Sequence, residues 1–287
     1  MSGRRFVQVD VFTSVPLAGN PLAVVLDGDG LSDARMQSLA RWTNLSETVF
    51  LSPSARADYR VRIFSPRSEL AFAGHPTIGA AHVAREHGLV DAARDSFTQE
   101  CGAGLVPLRV TPDGGLCARV PTPKRAEVAV DRDELRAALG GADVHDPLAI
   151  DVGVVWIVAR VTAAALATLR PDLPRMAALN EATRTTGVTV YAVAEGAGGG
   201  SAATAVEVRS FAPGDGIPED PVCGSGNASV GAHARITGQL ERIGATYVAS
   251  QGRFVHRDGR VAVTVDGDEI WIGGRAVTVV RGAIDLG

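Results

Sequence analysis

Two segments of this 287-residue chain, half its length apart, read as copies of one device. The first runs Arg62-Ile63-Phe64-Ser65-Pro66 and then Phe72-Ala73-Gly74-His75-Pro76-Thr77-Ile78-Gly79-Ala80-Ala81. The second runs Arg209-Ser210-Phe211-Ala212-Pro213 and then Asp220-Pro221-Val222-Cys223-Gly224-Ser225-Gly226-Asn227-Ala228. Each joins an Arg-x-Phe-x-Pro strand end, through a short acidic loop, to small residues that open a helix. Gly74 and Gly224 lie 150 positions apart. A chain that repeats a helix opening at half its length is expected to fold as two similar halves facing one site.

The patterns around these segments also repeat. Alternation predicts strands at Phe6–Phe12, Pro21–Leu26, Thr48–Leu51 and Tyr59–Phe64, with Gly19-Asn20 as a turn. Ser32 is placed to cap a helix from Asp33 to about Thr43. A second helix is expected from about His75 to Glu86, stopped by Gly88. Short strands follow at Phe97–Glu100, Leu105–Thr111 and Leu116–Val120. Pro121-Thr122-Pro123 breaks the pattern and reads as a domain boundary. Beyond it Asp131 caps a short helix, Arg132–Leu139. Ile150-Asp151-Val152, within Leu148–Val161, then echoes Val9-Asp10-Val11. Helices at Ala163–Leu169 and Pro174–Thr185, a strand at Val188–Ala194 and a flexible loop at Gly196–Ser201 come next. A strand at Glu207–Phe211, a helix from Gly224 to about Thr237 and short strands from Tyr247 to Val280 close the chain. Ala80, Ala81 and Ala84 in one long helix, and Ala228, Gly231, Ala232 and Ala234 in the other, leave both small and apolar on most faces. Such helices are usually buried. The expected fold is α+β, a strand-rich sheet curled about a central helix in each half.

Composition narrows the function. With 28 Lys and Arg against 32 Asp and Glu, the net charge is −4, and no basic stripe is present to neutralise phosphates. Nucleic acid is therefore not an expected partner. No apolar run approaches the roughly 20 residues that span a bilayer, and the start of the chain lacks the apolar core of a secretory signal. Three cysteines without Cys-x-x-Cys spacing give neither a disulfide framework nor a zinc site. A cytoplasmic protein is expected. The single lysine, Lys124, sits beside Pro123, which argues against a Schiff-base cofactor. His82 and His87 follow His75 without convergent carboxylates, so no metal is expected.

A helix N-terminus presents unpaired N–H groups and the positive end of the helix dipole, and glycine lets an anion approach closely. Two such openings in one cleft would suit a small carboxylate-bearing substrate. Proton-transfer candidates beside the segments are His75, Asp220, Cys223 and Ser225. A carboxylate in a dry cleft exchanges protons nearer neutrality, and a thiol at a helix N-terminus ionises more readily. A plain structural role is also open to each: His75 as a cap, Asp220 as an Asp-Pro turn, Cys223 as a small buried apolar residue.

Glu69-Leu70 with Gly74-His75-Pro76-Thr77, and Glu219-Asp220-Pro221-Val222-Cys223-Gly224-Ser225, resemble the PhzF-like family, which has the diaminopimelate epimerase-like fold. The resemblance extends to Val9-Asp10-Val11-Phe12, Gly19-Asn20-Pro21, Asn44-Leu45-Ser46-Glu47-Thr48, Gln251-Gly252 and Gly273-Gly274. It implies two pseudo-symmetric lobes, each a curled sheet or barrel around a central helix, with the active site in the cleft between them. The lobes are expected at 1–121, completed by 278–287, and at 122–277. By resemblance Glu47 is the central acid/base residue, taking a proton from one carbon and returning it to another; a glutamate at a strand start is otherwise usually solvated. His75, Asp220 and Ser225 match positions that bind substrate and assist proton transfer. Gly74, Gly224, Gly226 and Cys223 fall in the substrate-binding region. The implied activity is a cofactor-independent isomerase, without metal, and a homodimer is the expected assembly. The fold's racemases set one cysteine at each helix opening. Here Cys223 holds the second place and Ala73 the first. A racemase or epimerase using Glu47 and Cys223 is the alternative, followed by a non-catalytic protein that binds a small acid.

Overall fold

A computed structural model describes residues 3–194 and 204–286. The loop expected at Gly196–Ser201 lies outside the described residues. Contacts divide the chain into two units, Met1–Arg119 with Gly273–Gly287, and Val120–Ile272.

In the first unit the order is β1 (Arg4–Val11), β2 (Asn20–Val25), α1 (Asp33–Thr43), β3 (Thr48–Ser52), β4 (Tyr59–Phe64), β5 (Glu69–Leu70), α2 (Gly74–Glu86), β6 (Ser96–Cys101), β7 (Gly104–Val110) and β8 (Leu116–Arg119). The second unit runs β9 (Lys124–Arg125), α3 (Arg132–Ala138), β10 (His145–Asp151), β11 (Val155–Arg160), α4 (Ala163–Thr168), α5 (Leu173–Thr183), β12 (Gly187–Val193), β13 (Thr204–Ala212), β14 (Ile217–Asp220), α6 (Gly224–Ile236), α7 (Leu240–Ile243), β15 (Thr246–Gln251), β16 (Gly259–Asp266) and β17 (Glu269–Gly274). At the end of β17 the chain returns to the first unit as β18 (Ala276–Ile284).

The two units share a pairing scheme. β1–β2 and β10–β11 are antiparallel, β2–β3 and β11–β12 parallel, β3–β4 and β12–β13 antiparallel. β5 and β14 are short antiparallel returns. Parallel steps β4–β6 and β13–β15 then lead into the antiparallel pairs β6–β7 and β15–β16. β18 adds antiparallel to β1 from Arg4↔Ile284 to Val11↔Ala276.

Each sheet curls round its own helix. α2 packs against β1, β2, β3, β4, β8 and β18, and α6 against β10, β11, β12 and β16. Close approach demands small residues on these helices. A Cβ on Gly79 would come within 2.5 Å of Leu22 Cδ2 and 2.9 Å of Val11 Cγ2. The outer faces are covered too. Met36, Leu39 and Ala40 of α1 pack with Val25, Phe50 and Phe64. Leu135, Leu166, Met176 and Leu179 of the outer helices pack with Ile157, Ala159, Val188 and Val190. Strands buried on both sides read as near-continuous apolar runs, as Val188–Val193 does.

The repeated Arg-x-Phe-x-Pro has a specific role in both units. Arg62 makes a two-pronged bond to Glu69, at 2.7 and 2.6 Å, and Arg209 does the same to Glu219, at 3.0 and 2.7 Å. Each guanidinium also stacks 5.1 Å from the phenylalanine two residues on, Phe64 or Phe211. The pair locks the strand return immediately before the helix opening. The copies differ in burial: side-chain exposure is 21% and 43% for Arg62 and Glu69, but 6% and 12% for Arg209 and Glu219. Removing one partner of a buried pair costs about 3–5 kcal/mol, against about 0–1 kcal/mol at the surface. Glu219→Gln is therefore expected to lower the urea-unfolding free energy by about 3 kcal/mol and Glu69→Gln by under about 1 kcal/mol. Equal losses would contradict the assignment.

Candidate active site

The opening of α2 carries the first constellation. Its N-cap is Ala73, which gives no side-chain hydrogen bond, whereas Ser32, Asp131, Thr162 and Asp172 cap α1, α3, α4 and α5 through side-chain oxygens. His75 follows in the first turn, 3% exposed. Its Nε2 lies 3.4 Å from Glu47 Oε2, and the Glu47 side chain is 13% exposed. On the other ring edge, Nδ1 lies 3.5 Å from Asn20 Nδ2. Asn20 Oδ1 in turn accepts from Ser46 Oγ at 3.4 Å. Burial pushes the imidazole down to about 3, so His75 is neutral at physiological pH.

Local chain geometry delivers each of these groups. α1 ends at Asn44 in the left-handed region, with φ 53°. Thr43 Oγ1 and Thr48 Oγ1 meet at 2.8 Å across the loop Asn44–Glu47, which holds Glu47 at the foot of β3. Asn20 begins β2, directly after Gly19. A Cβ on Gly19 would lie 2.4 Å from Val11 O, so glycine is needed for the approach to β1. Gly19-Asn20 and Asn44–Thr48 are thus the two turns that set Asn20, Ser46 and Glu47 beside His75.

The opening of α6 carries the second constellation. Cys223 is the N-cap, and its Sγ accepts from Gly226 N at 3.2 Å. Sγ also lies 3.6 Å from Ser225 Oγ. Ser225 Oγ accepts from the indole N–H of Trp156 at 3.0 Å. Because indole only donates, the serine hydroxyl hydrogen is left for another acceptor. Asp220 is 7% exposed, and its Oδ1 accepts from Val222 N at 3.0 Å. Burial pushes its carboxyl up to about 6, against the hydrogen bonds from Val222 and the Cys223 side chain; the charge of Glu219 adds a smaller push upward. Gln251 ties the loop together. Its Oε1 accepts from Cys223 N at 3.1 Å and Asn227 Nδ2 at 2.8 Å, and its Nε2 donates to Asp220 O at 2.9 Å. Gly252, at φ 108°, brings the chain so close that a Cβ would meet Pro221 O at 2.6 Å. Gly226 is required by packing: a Cβ there would lie 2.6 Å from Ser210 Oγ and 2.9 Å from Thr189 Oγ1.

The sequence profile of the phenazine biosynthesis-like proteins, PhzC-PhzF, matches residues 9–282. The chain belongs to that family. It is 32% identical to trans-2,3-dihydro-3-hydroxyanthranilate isomerase of Pseudomonas chlororaphis, over 98% of this chain and 99% of that one. It is 35% identical to antisense-enhancing sequence 1 of Schizosaccharomyces pombe, again over 98% and 99%. The crystal structure of a PhzF-family phenazine biosynthesis protein from Bacillus anthracis superposes with a TM-score of 0.83 at 26% identity, covering 99% of this chain and 100% of that one. A probable proline racemase from Agrobacterium radiobacter shares the fold, with a TM-score of 0.66 at 17% identity, covering 99% and 93%. The α+β epimerase-like fold and the isomerase class expected from the sequence are those of this PhzF-family enzyme.

Among the family motif residues, Glu47 and His75 lie together in the first unit, and Asp220, Cys223, Ser225 and Gly226 lie together in the second. Gly74 and Gly224 are the first residues of α2 and α6. Sequence reasoning singled out neither Ser46 nor Trp156. Ser46 stood inside the motif that carries Glu47. Trp156 sits in an apolar strand where nothing marks it apart from core. Cys101 and Cys117 lie on β6 and β8, and burial pushes both thiols up. Among the described residues no group of three or more His, Cys, Asp or Glu is arranged to hold a metal, and no helix is long and apolar enough to cross a membrane.

Two opposed titrations follow. Asp220, ordinarily 3.8 and about 6 when folded, contributes stability that is full below its unfolded value and lost as pH rises through about 6. His75, ordinarily 6.5 and about 3 when folded, contributes stability that is full above its unfolded value and lost as pH falls towards about 3. Between the two carboxyl values these slopes cancel. Asp220→Asn should unmask the histidine slope: relative to wild type, its unfolding free energy should fall on acidification by about 1.4 kcal/mol per pH unit. Parallel pH–stability curves for the two proteins would contradict it.

Proposed function

We propose that the protein is a cofactor-independent isomerase that moves a proton, and with it a double bond, within a small carboxylate-bearing substrate, with Glu47 carrying the proton. The observation that supports it is the Glu47 carboxylate 3.4 Å from an imidazole that burial keeps neutral. A neutral neighbour brings no positive charge that would weaken the carboxylate as a base. The ionised carboxylate takes a proton from one carbon, and the released electron pair forms the new double bond. The carboxylic acid then returns the proton to another carbon, and the old double bond supplies the electrons. Protons and electrons balance without a redox partner. Asp220 and Ser225 are assigned to substrate binding and to assisting the transfer, with Cys223 and the openings at Gly74, Gly224 and Gly226 in the binding region.

One observation keeps a second reading in view. Cys223 and Ala73 hold equivalent places, as N-caps of α6 and α2. A thiol is thus present at one opening and missing at the other. Racemisation by two thiols lacks its first base, and a racemase here would have to pair Cys223 with Glu47.

Incubation in D2O with trans-2,3-dihydro-3-hydroxyanthranilate, the compound named for the Pseudomonas chlororaphis relative, separates these. Wild type should isomerise it and incorporate deuterium. Glu47→Gln should lose about 100- to 10,000-fold in rate, the usual worth of a general acid–base group. Cys223→Ser should stay within about tenfold of wild type. Activity surviving in Glu47→Gln would overturn the shuttle, and loss in Cys223→Ser would favour the two-base reading.

A further inference from the structure

Glu47 has a partner whose single proton can sit on either ring nitrogen, and the two choices have opposite consequences. We propose that Asn20, held by Ser46, locks His75 as the Nε2–H tautomer, so that the imidazole turns an N–H, and not a lone pair, to the Glu47 carboxylate. Asn20 and Ser46 are then positioning residues for the proton shuttle. The catalytic consequence rests on the reading of Glu47 above; the tautomer itself does not.

The geometry is a one-way chain. Ser46 Oγ lies 3.4 Å from Asn20 Oδ1, Asn20 Nδ2 lies 3.5 Å from His75 Nδ1, and His75 Nε2 faces Glu47 Oε2 at 3.4 Å, both atoms buried and not hydrogen-bonded to each other. An amide NH2 only donates, so Nδ1 facing it must be the acceptor and the ring proton must be on Nε2. The reversed amide would place Oδ1 against Nδ1 and draw the proton there. Nε2 and an ionised carboxylate would then face each other as two acceptors, an arrangement that costs free energy in a buried site. Burial at both Asn20, 0% exposed, and His75, 3% exposed, denies either group water as a substitute partner. Since the ring holds one proton across the physiological range, the tautomer is the one variable left.

The lock has a chemical use. Once Glu47 has taken a proton from substrate, a bare Nε2 lone pair beside it would accept a hydrogen bond from the new carboxylic acid and turn its O–H away from the substrate. An Nε2–H group offers no lone pair, so the proton stays on the carboxylic acid until a substrate carbon receives it. Neither Asn20 nor Ser46 touches the reacting atoms in this account.

Long-range proton–nitrogen correlation NMR on the 15N-labelled full-length protein at pH 8, with His75 assigned through His75→Gln, reads the tautomer directly. Wild type should show a pyrrole-type Nε2 and a pyridine-type Nδ1. Asn20→Asp replaces the donor by an acceptor of the same shape and should move the proton to Nδ1 or protonate both nitrogens. Ser46→Ala, at a partly exposed position, removes one tie on the amide and should shift both resonances towards the averaged values of mixed tautomers. A pyrrole-type Nδ1 in wild type overturns the inference, as does an unchanged pattern in a folded Asn20→Asp. If Asn20→Asp fails to fold, the wild-type and Ser46→Ala spectra decide: a wild-type pattern in Ser46→Ala removes Ser46 from the lock. Exchange persisting in Glu47→Gln while the Nε2–H signature stands would sink the shuttle alone, so the two failures are distinguishable.

Discussion

A neutral imidazole buried beside a carboxylate is the constraint on which the rest of the first unit depends. Burying an ionisable ring without charging it requires that each nitrogen find a partner of the right polarity. His75 meets that demand at Nδ1 with Asn20, and its Nε2 faces Glu47 Oε2 at 3.4 Å without a hydrogen bond between them. Both partners arrive on turns with steric reasons of their own: Gly19 for the approach of β2 to β1, and Asn44 in the left-handed cap that ends α1. A small-residue helix inside a curled sheet supplies the dry surroundings. Gly79 lets α2 sit against Val9, Val11 and Leu22.

The second unit repeats the frame and changes the chemistry. Arg209–Glu219 reproduces the Arg62–Glu69 lock, and Asn227 with Gln251 braces α6 much as Thr77 with Gln99 braces α2. The residues at the helix openings diverge. His75 corresponds to Ser225 and Ala73 to Cys223, so one opening holds a neutral base-like ring and the other a hydroxyl, a thiol and a carboxyl raised by burial. The repeat keeps what holds the helix in place and differs in the few side chains at its first turn. The fold itself is shared, at 17% identity, with a probable proline racemase.

Much of the fold was legible because its signals are local. Ser32 and Asp131 cap where their side chains suggest, Gly88 follows the end of α2, and β4 spans the alternating Tyr59–Phe64. The repeat at Gly74 and Gly224 announced two equivalent central helices. The candidate site was legible only in part. His75, Asp220, Cys223 and Ser225 lie beside the glycines and attract attention for that reason. Glu47 enters through family resemblance alone, because its partner is 28 residues away and nothing in its own segment marks a pocket. Trp156 is more hidden still: its indole meets Ser225 from a strand 69 residues earlier, within a run of valine and isoleucine that reads as core. Contacts between distant segments leave no periodicity in a single sequence, so such partners appear only when the chain is folded.

The central claim is that one carboxylate both removes and returns the proton, and intramolecular label transfer tests it most directly. A single turnover in H2O, on trans-2,3-dihydro-3-hydroxyanthranilate deuterated at the carbon that loses its proton, would be followed by mass spectrometry and NMR. If Glu47 acts as the single shuttle, part of the deuterium should appear at the new position in the product. Product carrying only solvent hydrogen there, from the first turnover onward, would mean that the proton removed is not the proton returned, and would contradict the account.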